Sequence, residues 1–240
     1  MRRVMGRTRR RAGRHVAEAL RVAILGAEST GKTTLAAALA PRLARDTGLR
    51  VAWVPELLRE WCEHVGRTPQ AHEQASILRA QHERIESAAA THELVICDTT
   101  ALLTAVYSRM VFGDRSLDAR ALALHRRMSI TLLTALDLPW VPDGLQRDGP
   151  HVREPVDTML REFLIGQGLP WALVSGSGMA RVEAAVDALA PLLRPQASPQ
   201  GGLFTRLNGR NAEAAARSWT CEHCDDPACE RRARALHPTL

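Results

Sequence analysis

Lysine is almost missing from this sequence. Among 32 basic residues the only lysine is Lys32, and every other cation is arginine. Where nothing but surface charge is wanted the two exchange freely, so a chain that has drifted toward arginine keeps lysine where geometry resists the swap. A compact ammonium on a flexible stem fits under a loop wrapped round a polyphosphate. A planar guanidinium is wider and aims its donors differently. Other absences exclude classes of protein. No apolar run approaches the roughly 20 residues that cross a bilayer, so no membrane-spanning helix and no membrane partner are expected. The first 15 residues hold seven arginines and no acid, but no apolar stretch follows them, so no secretory signal is expected. They carry +7 of a net charge of +6, which leaves the rest of the chain at about −1. The basic character is therefore no footprint of a nucleic-acid-binding face on the body of the protein.

What is present begins beside the lone lysine. Gly26, Gly31, Lys32 and Thr33 satisfy G-x-x-x-x-G-K-[ST], the phosphate-binding loop, within GAESTGKTT. The apolar run at 21–25 reads as a buried strand and TTLAAALAPRLA as a helix, which is the context the motif requires. Backbone amides from Ala27, Glu28, Ser29, Thr30, Gly31, Lys32, Thr33 and Thr34, at a helix N-terminus, are expected to hold the β-phosphate of ATP. Lys32 would bridge the β- and γ-phosphates and the Thr33 hydroxyl would ligate Mg²⁺.

Strands and helices alternate from there. Strands are expected at 49–55, 93–100, 130–136 and 171–176. Helices are expected at 56–64, 70–90, around 102–106, 116–128, 155–167 and 179–193. This alternation predicts an α/β chain with a parallel sheet covered on both faces. At 240 residues and 45% hydrophobic the chain buries one full core. Residues 1–15 read as a disordered or artefactual extension, with a nucleic-acid-binding arm as the alternative. Residues 16–195 read as the catalytic domain, 196–210 as a linker and 211–240 as a Cys-rich tail or small module. Cys62 and Cys97 lie in core-like segments, which suits a reducing, cytoplasmic setting.

The remaining chemistry points to phosphoryl transfer. Asp98 ends an apolar strand, where a second metal-side carboxylate is expected beside Thr33. Glu56 falls at the carboxyl edge of the second strand, the edge where ligands bind in such sheets. It is the candidate to orient an acceptor hydroxyl and take its proton, with a first-turn helix-dipole role as the alternative. Arg59 follows one turn on. The segment 137–154 carries three prolines and two glycines. Its Arg147 and Arg153 are candidates to close over the γ-phosphate, or else solvated loop charges.

VAILGAESTGKTTL, VPELLREW, VICDTT, DLPWVPDGLQRDG and VSGSGMAR, in this order over residues 21 to about 190, resemble the nicotinamide riboside kinase domain of NadR proteins and their stand-alone relatives. The resemblance implies a P-loop kinase fold with strand order 2-3-1-4-5. It also implies transfer of the ATP γ-phosphate to the 5′-hydroxyl of ribosylnicotinamide. By position it implies Glu56 and Arg59 on the substrate side, Asp98 at the metal, Trp140 and Asp143 near the ring or ribose, and Arg147 in the lid. A cationic pyridinium would gain from stacking on the Trp140 indole. Gly176 and Arg181 would lie after the last strand, where such kinases hold adenine. No nucleotidyltransferase motif precedes Arg21, so adenylyl transfer is not expected.

The C-terminal WTCEHCDDPACE leaves three readings open. Cys221, Cys224 and Cys229 with His237 could hold a structural zinc ion, form a thiol cluster, or stay uncoordinated. A second functional reading is also open, a P-loop regulatory switch whose tail binds a partner.

Overall fold

The structure is a computed structural model and describes residues 18–142 and 149–194. The expectations for residues 1–15, for the linker 196–210 and for the tail 211–240 lie outside those residues. So do Asp143, Arg147, Cys221, Cys224, Cys229 and His237.

Five parallel strands form one sheet, β1 Leu20–Leu25, β2 Val51–Val54, β3 Leu94–Asp98, β4 Ile130–Thr134 and β5 Trp171–Val174, in the order β2-β3-β1-β4-β5. The three central strands are almost wholly buried, whereas the edge strands expose Trp53 and Leu173. Period-two alternation sorts the side chains of β1 between two cores. Val22 and Ile24 pack with α1 (Lys32–Thr47) and α7 (Gly178–Leu193) on one face. Ala23 and Leu25 pack on the other with α3 (Gln74–Ala89), α4 (Ala101–Phe112) and α6 (Arg153–Gly166). The short α2 (Leu57–Val65) and α5 (Asp118–His125) complete the set. Among the described residues no helix is long and apolar enough to cross a membrane.

Most expected elements fall within a few residues of their places. The helix expected at 70–90 splits into a 3-10 turn at Ala71–Glu73 and α3. The loop expected to reach 154 ends sooner, because a 3-10 turn at Pro150–Val152 leads directly into α6. Arg153 therefore opens a helix instead of swinging in a lid. Its guanidinium is buried and donates to the carbonyls of Leu136 and Leu138, at 3.2 and 2.8 Å, so it braces the chain leaving β4.

One buried polar bridge ties α4 and α5 to β4. The His125 ring lies between the hydroxyls of Thr100 and Thr131, at 2.9 and 2.8 Å. A neutral imidazole satisfies both contacts, one nitrogen donating and the other accepting. Burial pushes its pKa from 6.5 down to about 4. Between those values the unfolded chain binds a proton that the folded chain does not, so this group's stabilisation is complete above pH 6.5 and is lost as pH falls toward 4. The change amounts to about 3 kcal/mol. His125→Gln is expected to flatten the pH dependence of urea-unfolding free energy across that window. An unchanged slope would overturn the assignment.

Candidate active site

Three glycine and threonine contacts build the loop between β1 and α1. Gly26 has no room for a side chain, since a Cβ there would sit 2.0 Å from Thr134 Oγ1. Thr134 closes the base of the loop from β4, its hydroxyl 2.7 Å from that of Thr30 and 3.1 Å from the Leu25 carbonyl. Gly31, at φ +77°, makes the left-handed step into α1. That helix has neither a side-chain cap nor an acid in its first turn, which leaves its N-terminal amides and positive dipole end to an anion. Lys32 folds back so that Nζ donates to the Ala27 carbonyl at 2.8 Å. Ser29, at φ +56°, is a non-glycine residue in the left-handed region. Its hydroxyl accepts the Val141 amide at 2.8 Å, fastening the loop to the segment after β4.

Asp98 lies where β3 ends, fully buried. Neither carboxylate oxygen has a partner of hydrogen-bonding geometry among the described residues, although the Thr33 hydroxyl is its polar neighbour. Burial raises its pKa above the ordinary value, opposed by Thr33, Lys32 and Arg59 in that order. Thr99 beside it is β-branched at φ +69° and donates its amide to the Ile24 carbonyl at 3.1 Å. Backbone held there costs about 1–3 kcal/mol and persists where the surroundings enforce it.

A cleft of about 710 Å³ opens beyond the loop. Residues 28–34 form one wall, and Glu56, Leu58 and Arg59 line another. Glu56 stands at the N-cap of α2, where its side chain makes no capping hydrogen bond. Gln81 brackets this corner, accepting the Leu57 amide at 2.7 Å and donating to the Pro55 carbonyl at 3.3 Å. The far wall is one face of α4, where Leu103, Tyr107 and Val111 recur every four residues, with Thr104 and Phe112 beside them. Arg67 and Gln70 close the rim, and Gln74 lines the interior. Arg67 is already engaged. It makes two hydrogen bonds to Glu73, at 2.7 and 2.8 Å, and its guanidinium lies 5.2 Å from the centre of the Trp61 ring. The Arg67 pairing, helped by the Gln70 amide, holds the Glu73 carboxyl at about 2.

The structure brings together Lys32, Thr33, Asp98, Glu56 and Arg59. Two sequence expectations do not join them. Trp140 does not line the cleft; it belongs to the segment that packs against Ser29, and the aromatics of the cleft are Tyr107 and Phe112. Arg181, expected at adenine, is buried inside a clasp. It donates to the Thr30 carbonyl at 2.6 Å, to the Gly176 carbonyl at 2.7 Å, and to Asp137. Asp137 also accepts the Gly176 amide at 2.5 Å. The guanidinium therefore joins the loop, the end of β4 and the turn after β5, each of its three nitrogens donating to one of them. Gly176, as expected, follows the last strand, at φ +91°. Tyr107 went unread, although as the only tyrosine of the chain it was open to notice. Gln74 and Gln81 carry no such signal.

A parallel sheet in this order, with a Gly-Lys-Thr loop between β1 and α1, defines a P-loop nucleotide-binding protein. Residues 21–181 match the profile of the AAA domain family, and the chain belongs to that family. Its fold is similar to a crystal structure of NadR protein in complex with NAD and AMP-PNP, at TM-score 0.58 and 19% identity, over 76% of this chain and 52% of that one. A NadR complex with NR gives TM-score 0.57 and 20% identity, over 72% and 50%. Thymidylate kinase from Ehrlichia chaffeensis gives TM-score 0.52 and 16% identity, over 73% and 100%. No curated protein sequence matches the chain. The chain spans about half the length of the NadR chains it matches, and at these identities the likeness is one of fold.

Proposed function

We propose that this chain is a kinase that transfers the γ-phosphate of ATP to a hydroxyl of a nucleoside, with the 5′-hydroxyl of nicotinamide riboside as the acceptor. One observation carries the reading: a single cleft has the phosphate loop in one wall and, in the others, a carboxylate and a ring-sized apolar face. The NadR structures with AMP-PNP and with NR lend it support by likeness of fold.

Lys32 exchanges the Ala27 carbonyl for the β- and γ-phosphate oxygens. Its charge there offsets what accumulates as the γ-phosphoryl group leaves ADP. The Thr33 hydroxyl and the buried, unpartnered oxygens of Asp98 fit a divalent cation and would hold Mg²⁺. When bound, the cation neutralises part of the phosphate charge. Glu56 accepts the hydroxyl proton as the acceptor oxygen bonds to phosphorus and the bond to the ADP oxygen breaks. Arg59 pairs with substrate beside it. Because Arg67 is bound by Glu73 and stacked on Trp61, it is not waiting for a second phosphate. That favours a nucleoside, which carries no phosphate, over a nucleoside monophosphate.

The test is ADP release across nucleosides, nicotinamide riboside among them, and thymidine monophosphate. Turnover is expected with a nucleoside and not with the monophosphate. Glu56→Gln should lower kcat at least about tenfold while ATP affinity stays nearly constant. Tight ATP binding with no nucleoside turned over would instead favour the regulatory-switch reading.

A further inference from the structure

Gln74 opens α3 and is only 5% exposed, yet it lines the cleft. Its side-chain amide makes no hydrogen bond among the described residues. The contrast with Gln81, on the same face two turns along, is instructive, since both ends of that amide are consumed by Pro55 and Leu57. The little of Gln74 that is exposed opens onto the cleft, so its amide is left to bond with what the cleft holds.

We propose that Gln74 is the specificity-determining residue of the acceptor side and reads the polar edge of the acceptor's ring. The inference rests on the nucleoside kinase reading above and extends it to the class of ring. The apolar face of α4, with Leu103, Tyr107 and Phe112, takes the flat of a ring. The Gln74 amide, lining the cleft, meets its edge. A glutamine offers one carbonyl acceptor and one two-hydrogen donor side by side. Its complement is a neutral group that shows a donor and an acceptor together, such as a carboxamide, or an amino group next to a ring nitrogen. A carboxylate carries acceptors alone and sets one of them against the glutamine carbonyl. A bare ring leaves the amide unpaired. The carboxamide of nicotinamide riboside meets the requirement.

The experiment compares wild type with Gln74→Leu, which keeps the side-chain bulk and removes both polar atoms. Each is assayed with nicotinamide riboside and with pyridinium riboside, which lacks the carboxamide. Wild type is expected to prefer the carboxamide substrate at least about tenfold in kcat/KM, and Gln74→Leu to lose that preference through KM, with kcat within about threefold. Circular dichroism and ATP affinity should match wild type. Should the active nucleoside be a purine, adenosine against purine riboside makes the same comparison. A preference that survives in Gln74→Leu, or an equal fall for both substrates, overturns the assignment while leaving the kinase reading intact. Failure of wild type to bind or turn over any nucleoside overturns the kinase reading, and this inference with it.

Discussion

Lys32→Arg is expected to lower the rate of phosphoryl transfer at least about 100-fold while the protein folds normally. Elsewhere this chain uses arginine for every cation, so the substitution adds nothing foreign to its composition. The obstacle is local. Nζ sits 2.8 Å from the Ala27 carbonyl, inside a loop pinned at its base by Thr30 and Thr134 and on its flank by Val141. The longer, planar guanidinium needs room that such a pinned loop does not yield, and its fork delivers charge to different points from a single ammonium. Steady-state ADP release, ATP binding by calorimetry and circular dichroism check the outcome. Activity within tenfold of wild type, with the fold intact, would mean that Lys32 serves only as a surface charge.

Asp98→Asn is expected to act in opposite directions on stability and on turnover. In the ligand-free protein the Asp98 carboxylate is buried, and neither oxygen has a hydrogen-bond partner among the described residues. The neighbouring charges of Lys32 and Arg59 only partly offset the burial that raises its pKa. A carboxyl with a raised pKa is a cost to the folded state at neutral pH. Replacing it with a neutral amide of the same shape should raise the ligand-free melting temperature by about 2–4 °C. The same change removes the anion that suits a divalent cation, so turnover should fall at least about 100-fold and the stabilisation conferred by Mg²⁺ with ATP should shrink. Differential scanning fluorimetry with and without Mg²⁺ and ATP separates the two effects. A ligand-free melting temperature lower than wild type would show that Asp98 is satisfied in the fold and held there for structure.

The legible part of this protein is the part whose geometry is written in adjacent residues. The loop at 26–33 was readable because glycine spacing dictates its backbone and a strand and a helix must flank it. Asp98 was readable because an apolar run that stops at an acid marks a strand's carboxyl end. Strand order came from the resemblance to a known domain, not from periodicity, and the hydrogen-bonded sheet bears it out. The far wall of the cleft was not readable. Tyr107 and Gln74 lie on helices whose patterns resemble any half-buried helix, and only the packing of α3 and α4 turns them toward the loop. Arg181 shows the complementary error. Its place after the last strand was right, but the direction of its guanidinium is set by Thr30 and Asp137, which lie 151 and 44 residues away.

The scarcity of lysine has a consequence for handling the molecule. Apart from the terminal amine, the chain offers acylating reagents a single primary amine, and that amine lines the cleft. One added acyl mass on a side chain therefore reports one location, and its suppression reports an occupied phosphate loop. A lysine-specific protease likewise has one bond to cut, between Lys32 and Thr33 in the first turn of α1. Cleavage there requires the loop to come undone, so the protein carries an intrinsic gauge of how often its own nucleotide site opens.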